Sequence, residues 1–211
     1  MPRILTHSFE DFLRLVQSFH GAVAPGVVVG GFMVDLAMSR IPEGTLFEAI
    51  SETASCLPDA IQLLTRCTVG NNRLKVINLG RFALSLYDKY EGKGVRVFLD
   101  VPKLEAWPEI KAWLLKLKQK SEQDEAAITS EIERAGHSIC SLQPVQIHAQ
   151  YLGKRNRGPI TICKLCHEPY PARDGAICLA CRGEAPYIGS GQSDAYCNKQ
   201  RCLHYQIEPL A

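Results

Sequence analysis

The sequence predicts an α+β protein in two parts: a mixed helix and antiparallel-sheet core domain over residues 1–152, a linker at 153–158 and a small zinc-binding domain at 159–211. Three observations lead there. Helical and strand periodicities are interleaved from residue 8 to residue 151. Six of the nine cysteines fall between Cys163 and Cys202. Between the two regions the polar stretch Gly153-Lys-Arg-Asn-Arg-Gly-Pro159 carries no periodicity and reads as a connection.

In chain order, Ser8 and Asp11 form an N-terminal capping pair. Phe9, Phe12, Leu13, Val16 and Phe19 then recur at helical spacing, so the first helix ends near Gly21 and delivers His20 to a turn. Pro25 suits the first turn of a second helix running to about Arg40, in which Gly26, Gly30 and Gly31 permit close backbone approach. Leu46 to Ala54 alternates like a half-buried strand, with Phe47, Ala49 and Thr53 set against Glu48 and Glu52. Pro58 opens a short helix from Asp59 to Thr65, bracketed by Cys56 and Cys67 and followed by the turn signal Gly70-Asn71-Asn72. Strands at Leu74–Asn78, Phe82–Tyr87 and Val95–Val101 read as an antiparallel meander. Leu104–Lys118 and Glu122–Glu133 read as helices whose many charges belong to solvated faces, with Pro108 able to start or kink the first. Val145–Tyr151 is the last expected strand.

Composition sets the outer limits. With 211 residues, 46% hydrophobic and 22% charged, the chain can bury a real core, which rules out disorder throughout. Residues 1–150 carry 16 Lys and Arg against 17 Asp and Glu, and residues 151–211 carry 8 against 5. Neither balance is basic enough to announce nucleic acid, and the Lys154, Arg155 and Arg157 run beside the linker is most simply a solvated one. The longest apolar stretch, Ala22 to Met38, is broken by Pro25, three glycines and Asp35, so no membrane segment is expected. The N-terminus lacks the apolar run of an export signal. A cytoplasmic setting follows, where thiols stay reduced and cysteines serve metals or reactivity rather than disulfides.

Cys163-Lys-Leu-Cys166 and Cys178-Leu-Ala-Cys181, with eleven residues between the pairs, match the thiolate arrangement that gives Zn²⁺ four tetrahedral sulfur ligands. A module this small has little core, and ligation stabilises it. With four protein ligands the metal has no open position, so its expected role is structural. Cys197, Cys202 and His204 form a further partial cluster that offers either substitute ligands or part of a second site, or is simply a set of tail residues.

The segment His20-Gly-Ala-Val-Ala-Pro-Gly26, followed by Cys56-Leu-Pro-Asp-Ala-Ile-Gln-Leu-Leu-Thr-Arg-Cys-Thr-Val-Gly-Asn71, resembles the FmdE family of formylmethanofuran dehydrogenase proteins. The resemblance covers roughly residues 8–150 and implies an α+β core, often a homodimer, followed by a treble-clef-like zinc finger. It also implies a metal cluster built from a His-Gly-His-x-Cys-Pro-Gly loop and two later cysteines. This chain retains His20, Cys56 and Cys67 but has Ala22 and Ala24 where the family carries the second His and the loop Cys. The resemblance therefore implies a possible second transition metal held by His20, Cys56 and Cys67 with one open position.

The residues themselves leave that point open. A His at a helix end is commonly a hydrogen-bonded structural residue, and a buried free Cys commonly a small hydrophobe. Joined by one uninterrupted helix, Cys56 and Cys67 would stand about 16 Å apart, so co-ligation demands a bend, for which Pro58 and the Thr68–Asn72 turn provide. Asp59 and Gln62 either orient His20 or a thiolate, or, for Asp59, complement the helix dipole. Thr68 and Gly70 can shape an anion-accepting turn, without being a nucleotide fingerprint. The leading functional expectation is a metal-binding accessory or regulatory partner of a molybdenum or tungsten formylmethanofuran dehydrogenase or related redox system. The alternatives are a small metal- or thiol-dependent enzyme using the core pocket, and a zinc-finger regulatory or nucleic-acid-binding protein.

Overall fold

A short antiparallel pair, β1 (Arg3–Ile4) and β2 (His7–Ser8), leads into α1 (Phe9–His20), whose first turn is capped by the Ser8 hydroxyl accepting from the Asp11 N–H. Gly21 ends α1 in the left-handed region at φ +87°, as a C-terminal glycine should. The computed structural model describes residues 2–153 and 158–187. The chain divides into two compact units, Met1–Lys154 and Arg155–Ala211.

The first unit is organised around α2 (Pro25–Met38). Every residue from Gly26 to Val34 is buried, the signature of a helix apolar on all sides and placed centrally. Its glycines serve contact. A Cβ on Gly30 would sit 2.6 Å from the Ala60 Cβ, and one on Gly31 would sit 2.5 Å from the Phe12 ring, so neighbouring helices lie directly on its backbone. Asp35 of α2 also accepts from the Leu5 N–H at 3.0 Å and pairs with His137 at 2.7 Å, tying the N-terminal hairpin to the centre.

After α2 come β3 (Phe47–Ser51), α3 (Leu57–Leu64), β4 (Leu74–Val76), β5 (Ala83–Asp88), β6 (Lys93–Leu99), α4 (Pro108–Leu114), α5 (Glu125–Ala135) and β7 (Cys140–Gln146). These five strands form one mixed sheet in the order β4-β3-β5-β6-β7. The α+β class holds, but the expected meander does not begin at β4. That strand lies beside β3 and parallel to it, because α3 intervenes as a crossover, while β5 pairs antiparallel with the other side of β3. The last strand is also displaced from the expected Val145–Tyr151 to Cys140–Gln146, and Ala149–Tyr151 forms a 3-10 turn. Pro144 argues against a strand in the sequence but is tolerated because β7 is an edge.

The Leu104–Lys118 helix proves shorter. Val101–Leu104 is a 3-10 turn, Pro108 starts α4, and Lys116 at φ +53° lies just beyond its end. Not all the charge on α5 is solvated. Glu131 is buried and accepts from the N–H groups of Glu109 and Ile110 at 3.0 and 3.1 Å, capping α4 from outside its own helix. Glu48 and Glu52 are buried as well. Lys75 and Tyr87 satisfy the first; Arg96 and Arg81 satisfy the second. In the second unit, β8 (Ile160–Ile162) and β9 (Pro169–Pro171) form an antiparallel hairpin.

Two outcomes follow from these buried carboxylates. Glu131→Ala strands two helix N–H groups and should cost about 2 kcal/mol in urea denaturation, whereas the exposed Glu43→Ala should stay within about 0.5 kcal/mol. Hydrogen bonding from Arg96 holds the Glu52 carboxyl below its ordinary 4.5. A depressed folded-state value contributes stability above the unfolded one and loses it as pH falls through the folded one. The denaturation midpoint should therefore decline in acid below about pH 4.5, and Glu52→Gln should lower stability at neutral pH while flattening that decline.

Candidate metal centre and core site

The finger is built from two tight turns that aim sulfur inward. At the first, the Cys163 N–H donates to the Glu168 carbonyl at 2.9 Å and the His167 N–H returns to the Cys163 carbonyl at 3.0 Å, with His167 at φ +60°. At the second, a 3-10 turn over Ala180–Arg182 ends on Gly183 at φ +92°, and the Cys181 N–H points to the Cys178 sulfur at 3.4 Å. The sulfurs of Cys163, Cys166, Cys178 and Cys181 all lie within 4.8 Å of one another. Between Cys166 and Cys178 the separation is 3.7 Å. A tetrahedron with bonds of about 2.3 Å has an edge of about 3.8 Å, so the cluster has the dimensions of a zinc site before any ion is considered.

Electrostatics points the same way. N–H groups, led by that of Cys166, push the Cys163 thiol down to about 6, while burial and the neighbouring sulfurs push Cys181 up to about 12. One thiolate forms readily and opposes the next. A divalent cation relieves that opposition, and the donor set fits structural zinc with all four positions supplied by the protein. Beside it, Tyr170 is buried against Cys163 and Cys178 and donates its hydroxyl to the Gly175 carbonyl at 2.9 Å. Cys197, Cys202 and His204, with the Lys154, Arg155 and Arg157 run, lie outside the described residues.

In the core, the residues of the motif separate into two environments. His20, the last residue of α1, meets Asp59 in the first turn of α3, with Nδ1 and Oδ2 2.6 Å apart. Cys56 immediately precedes α3 and is held at φ +56°, ψ −53° in a γ-turn closed by the Leu57 N–H on the Ser55 carbonyl. Such a conformation in a residue with a side chain stores about 1–3 kcal/mol of strain. The thiol packs on the start of α2. A Cβ on Gly26 would stand 2.7 Å from the Cys56 Cβ, 3.0 Å from its sulfur and 3.5 Å from the Trp113 ring. Burial, then the charge of Asp59, pushes the Cys56 thiol up.

Cys67 lies elsewhere. It is buried at the far end of α3 with its sulfur 3.6 Å from the Phe47 carbonyl, and burial pushes its thiol up in a setting shared with Arg73, Glu48 and Lys75. Among the described residues no set of three or more His, Cys, Asp or Glu outside the finger has its ligand atoms within 4.8 Å of one another. His20, Cys56 and Cys67 are therefore not brought together as the expected trio. Gln62 accepts from the Val69 N–H at 3.2 Å, fastening α3 to the following loop. At the turn that contains Thr68 and Gly70, most N–H groups are engaged within the protein. The N–H groups of Thr68, Val69, Asn71, Asn72 and Arg73 all donate to Gln62 or to partners within the loop.

Sequence reasoning missed Trp113, whose ring, like Cys56, lies beside Gly26 and meets Phe82 edge-on at 5.9 Å. No spacing rule links positions so far apart. It also missed the cluster of Glu48, Lys75 and Tyr87 on the sheet, because alternation marks such residues only as facing away from the helices.

Comparison with known proteins gives three findings. The family model described as FmdE, molybdenum formylmethanofuran dehydrogenase operon, matches residues 19–148, and that of the FmdE treble clef zinc finger matches residues 154–188. The crystal structure of a tungsten formylmethanofuran dehydrogenase FmdE-like protein from Syntrophus aciditrophicus is similar with a TM-score of 0.83 and 51% identity, covering 89% of this chain and 100% of that one. A curated protein of Archaeoglobus fulgidus, a probable S-adenosyl-L-methionine-binding protein, is 28% identical over an alignment 192 positions long that covers 81% of this chain and 52% of that protein. The chain thus spans about half the length of the curated relative it matches.

Two substitutions test this geometry. Cys178→Ser should lower zinc content measured by mass spectrometry and open the finger to trypsin, while leaving the urea transition of the first unit in place. Gly26→Ala places a methyl group against Cys56 and should cost about 1–3 kcal/mol in the same urea transition.

Proposed function

Because the chain belongs to the FmdE family, in the form that carries a C-terminal treble-clef finger, we propose that it serves as an accessory or regulatory partner of a molybdenum or tungsten formylmethanofuran dehydrogenase or a related redox system. The observation that carries this reading is the match at 51% identity, spanning the whole of the solved protein, to one described as a tungsten formylmethanofuran dehydrogenase FmdE-like protein. Chemistry supports a partner role over a catalytic one. A zinc ion held by four cysteines stabilises the finger and has no position left for substrate, and the difficult redox steps of such a system belong to cofactors held by other chains. A homodimer fits the same reading, since Val69, Val76 and Leu79 expose apolar surface in and beside the edge strand β4. Purified from its natural host at moderate salt, the chain should co-fractionate with a dehydrogenase containing molybdenum or tungsten. Consistent elution apart from any such enzyme would refute the partner role.

One observation favours a second reading, a thiol-dependent enzyme: the His20–Asp59 pair occupies the same helix start as the strained Cys56. An activated thiolate would be alkylated by iodoacetamide at pH 7 faster than a free peptide cysteine. Burial and Asp59 act against ionisation, so peptide mapping should find Cys56 slower than the free thiol.

A further inference from the structure

We infer that the first unit of this chain holds no transition-metal ion, and that the His-Cys donor set of the family's loop has become a metal-free site in which Asp59 still orients His20 through Nδ1. The inference rests on family membership and on donor positions, and stands whether or not the dehydrogenase partnership is correct.

Reach decides against a metal. Two sulfurs bound to one zinc ion at about 2.3 Å cannot stand more than about 4.6 Å apart. Cys56 and Cys67 lie at opposite ends of α3, whose eight residues span about 12 Å. Cys67 is turned onto the Phe47 carbonyl, away from the first turn of α3, and sits fully buried in the core cluster. Bringing its sulfur to Cys56 would mean breaking that contact and the hydrogen bond from the Cys67 N–H to the Thr65 hydroxyl at 3.0 Å.

The remaining donors do not make up the deficit. His20 has committed Nδ1 to Asp59 at 2.6 Å, leaving Nε2 as its other ring nitrogen for a ligand. Positions 22 and 24, in the loop that joins His20 to Gly26, carry alanine. The Ala24 carbonyl accepts from the N–H groups of Val27 and Val28 at 2.9 and 3.2 Å, so the backbone here serves the start of α2. Among the described residues, no set of three donors that includes Cys56 has ligand atoms within 4.8 Å of one another. What His20 and Cys56 present instead is one imidazole nitrogen, oriented by a carboxylate, and one thiol packed at Gly26, a hydrogen-bonding surface rather than a Lewis acid.

Metal content of the full-length chain decides the matter. Protein produced in zinc-supplemented medium and passed over a desalting column should contain one zinc per chain by mass spectrometry, unchanged by Cys56→Ser or His20→Ala. The double substitution Ala22→His with Ala24→Cys, which returns two donors to the loop, should raise the content to two. Circular dichroism confirms that each variant is folded, and Ala24→Cys alone serves if the double variant is not. A second equivalent in the unaltered chain that disappears with Cys56→Ser or His20→Ala would overturn the inference. A second equivalent that survives both and is lost with Cys197→Ser and Cys202→Ser belongs to the C-terminal cysteines and leaves it standing. A folded loop variant that stays at one equivalent would overturn the role assigned to positions 22 and 24.

Discussion

Close approach to the glycines of α2 is the constraint on which the first unit depends. Three neighbours lie against this helix where a Cβ would not fit: Cys56 at Gly26, Ala60 at Gly30 and Phe12 at Gly31. The first two belong to the start of α3 and the third to α1, so one helix backbone sets the positions of both elements that carry the core motif. His20 and Asp59 can hydrogen-bond across 39 positions of sequence because α1 and α3 are each seated on α2. The strain at Cys56 fits the same account. Its unfavourable φ persists because Pro58 lies in the first turn of α3 on one side while the start of α2 packs against Cys56 on the other.

The second unit depends on a different force. Among its described residues the buried cluster is Cys163, Tyr170 and Cys178, while Ile160, Ile162 and Leu165 are exposed, so apolar burial there is small. The four sulfurs already converge, but convergence of ionisable thiols is itself unfavourable without a cation to offset it. A zinc ion on these four sulfurs would stabilise the described part of this unit, whereas the first unit is built around apolar contacts.

Much is legible in the sequence where the physics is local. The cap at Ser8, the glycine stop at Gly21, the prolines in the first turns at Pro25 and Pro58 and the paired Cys-x-x-Cys turns all act within a few residues, and each is found within two residues of where spacing puts it. Errors begin where a choice depends on distant partners. Nothing within β4 says that it pairs with β3 in parallel rather than with β5, and nothing within β7 says that Pro144 faces an open edge. Glu131 reads in the sequence as one more charge on a solvated helix. Only the start of α4, 21 and 22 positions away, makes it a buried cap. The candidate site divides in the same way: Asp59 with His20 is among the readings that spacing allows, while the separation of Cys67 from Cys56 is not decided by it.

By itself the sequence determined the α+β class, the helix limits set by caps and prolines, and the four sulfurs of the finger, because each follows from short-range periodicity, capping chemistry or ligand spacing. The tertiary structure alone decided which sulfurs and carboxylates share an environment. A motif string lists donors in order along the chain, but a metal or a proton responds to distances in space. Those distances are set by how α1 and α3 pack against the glycines of α2 and by where the Cys67 side chain comes to rest against β3.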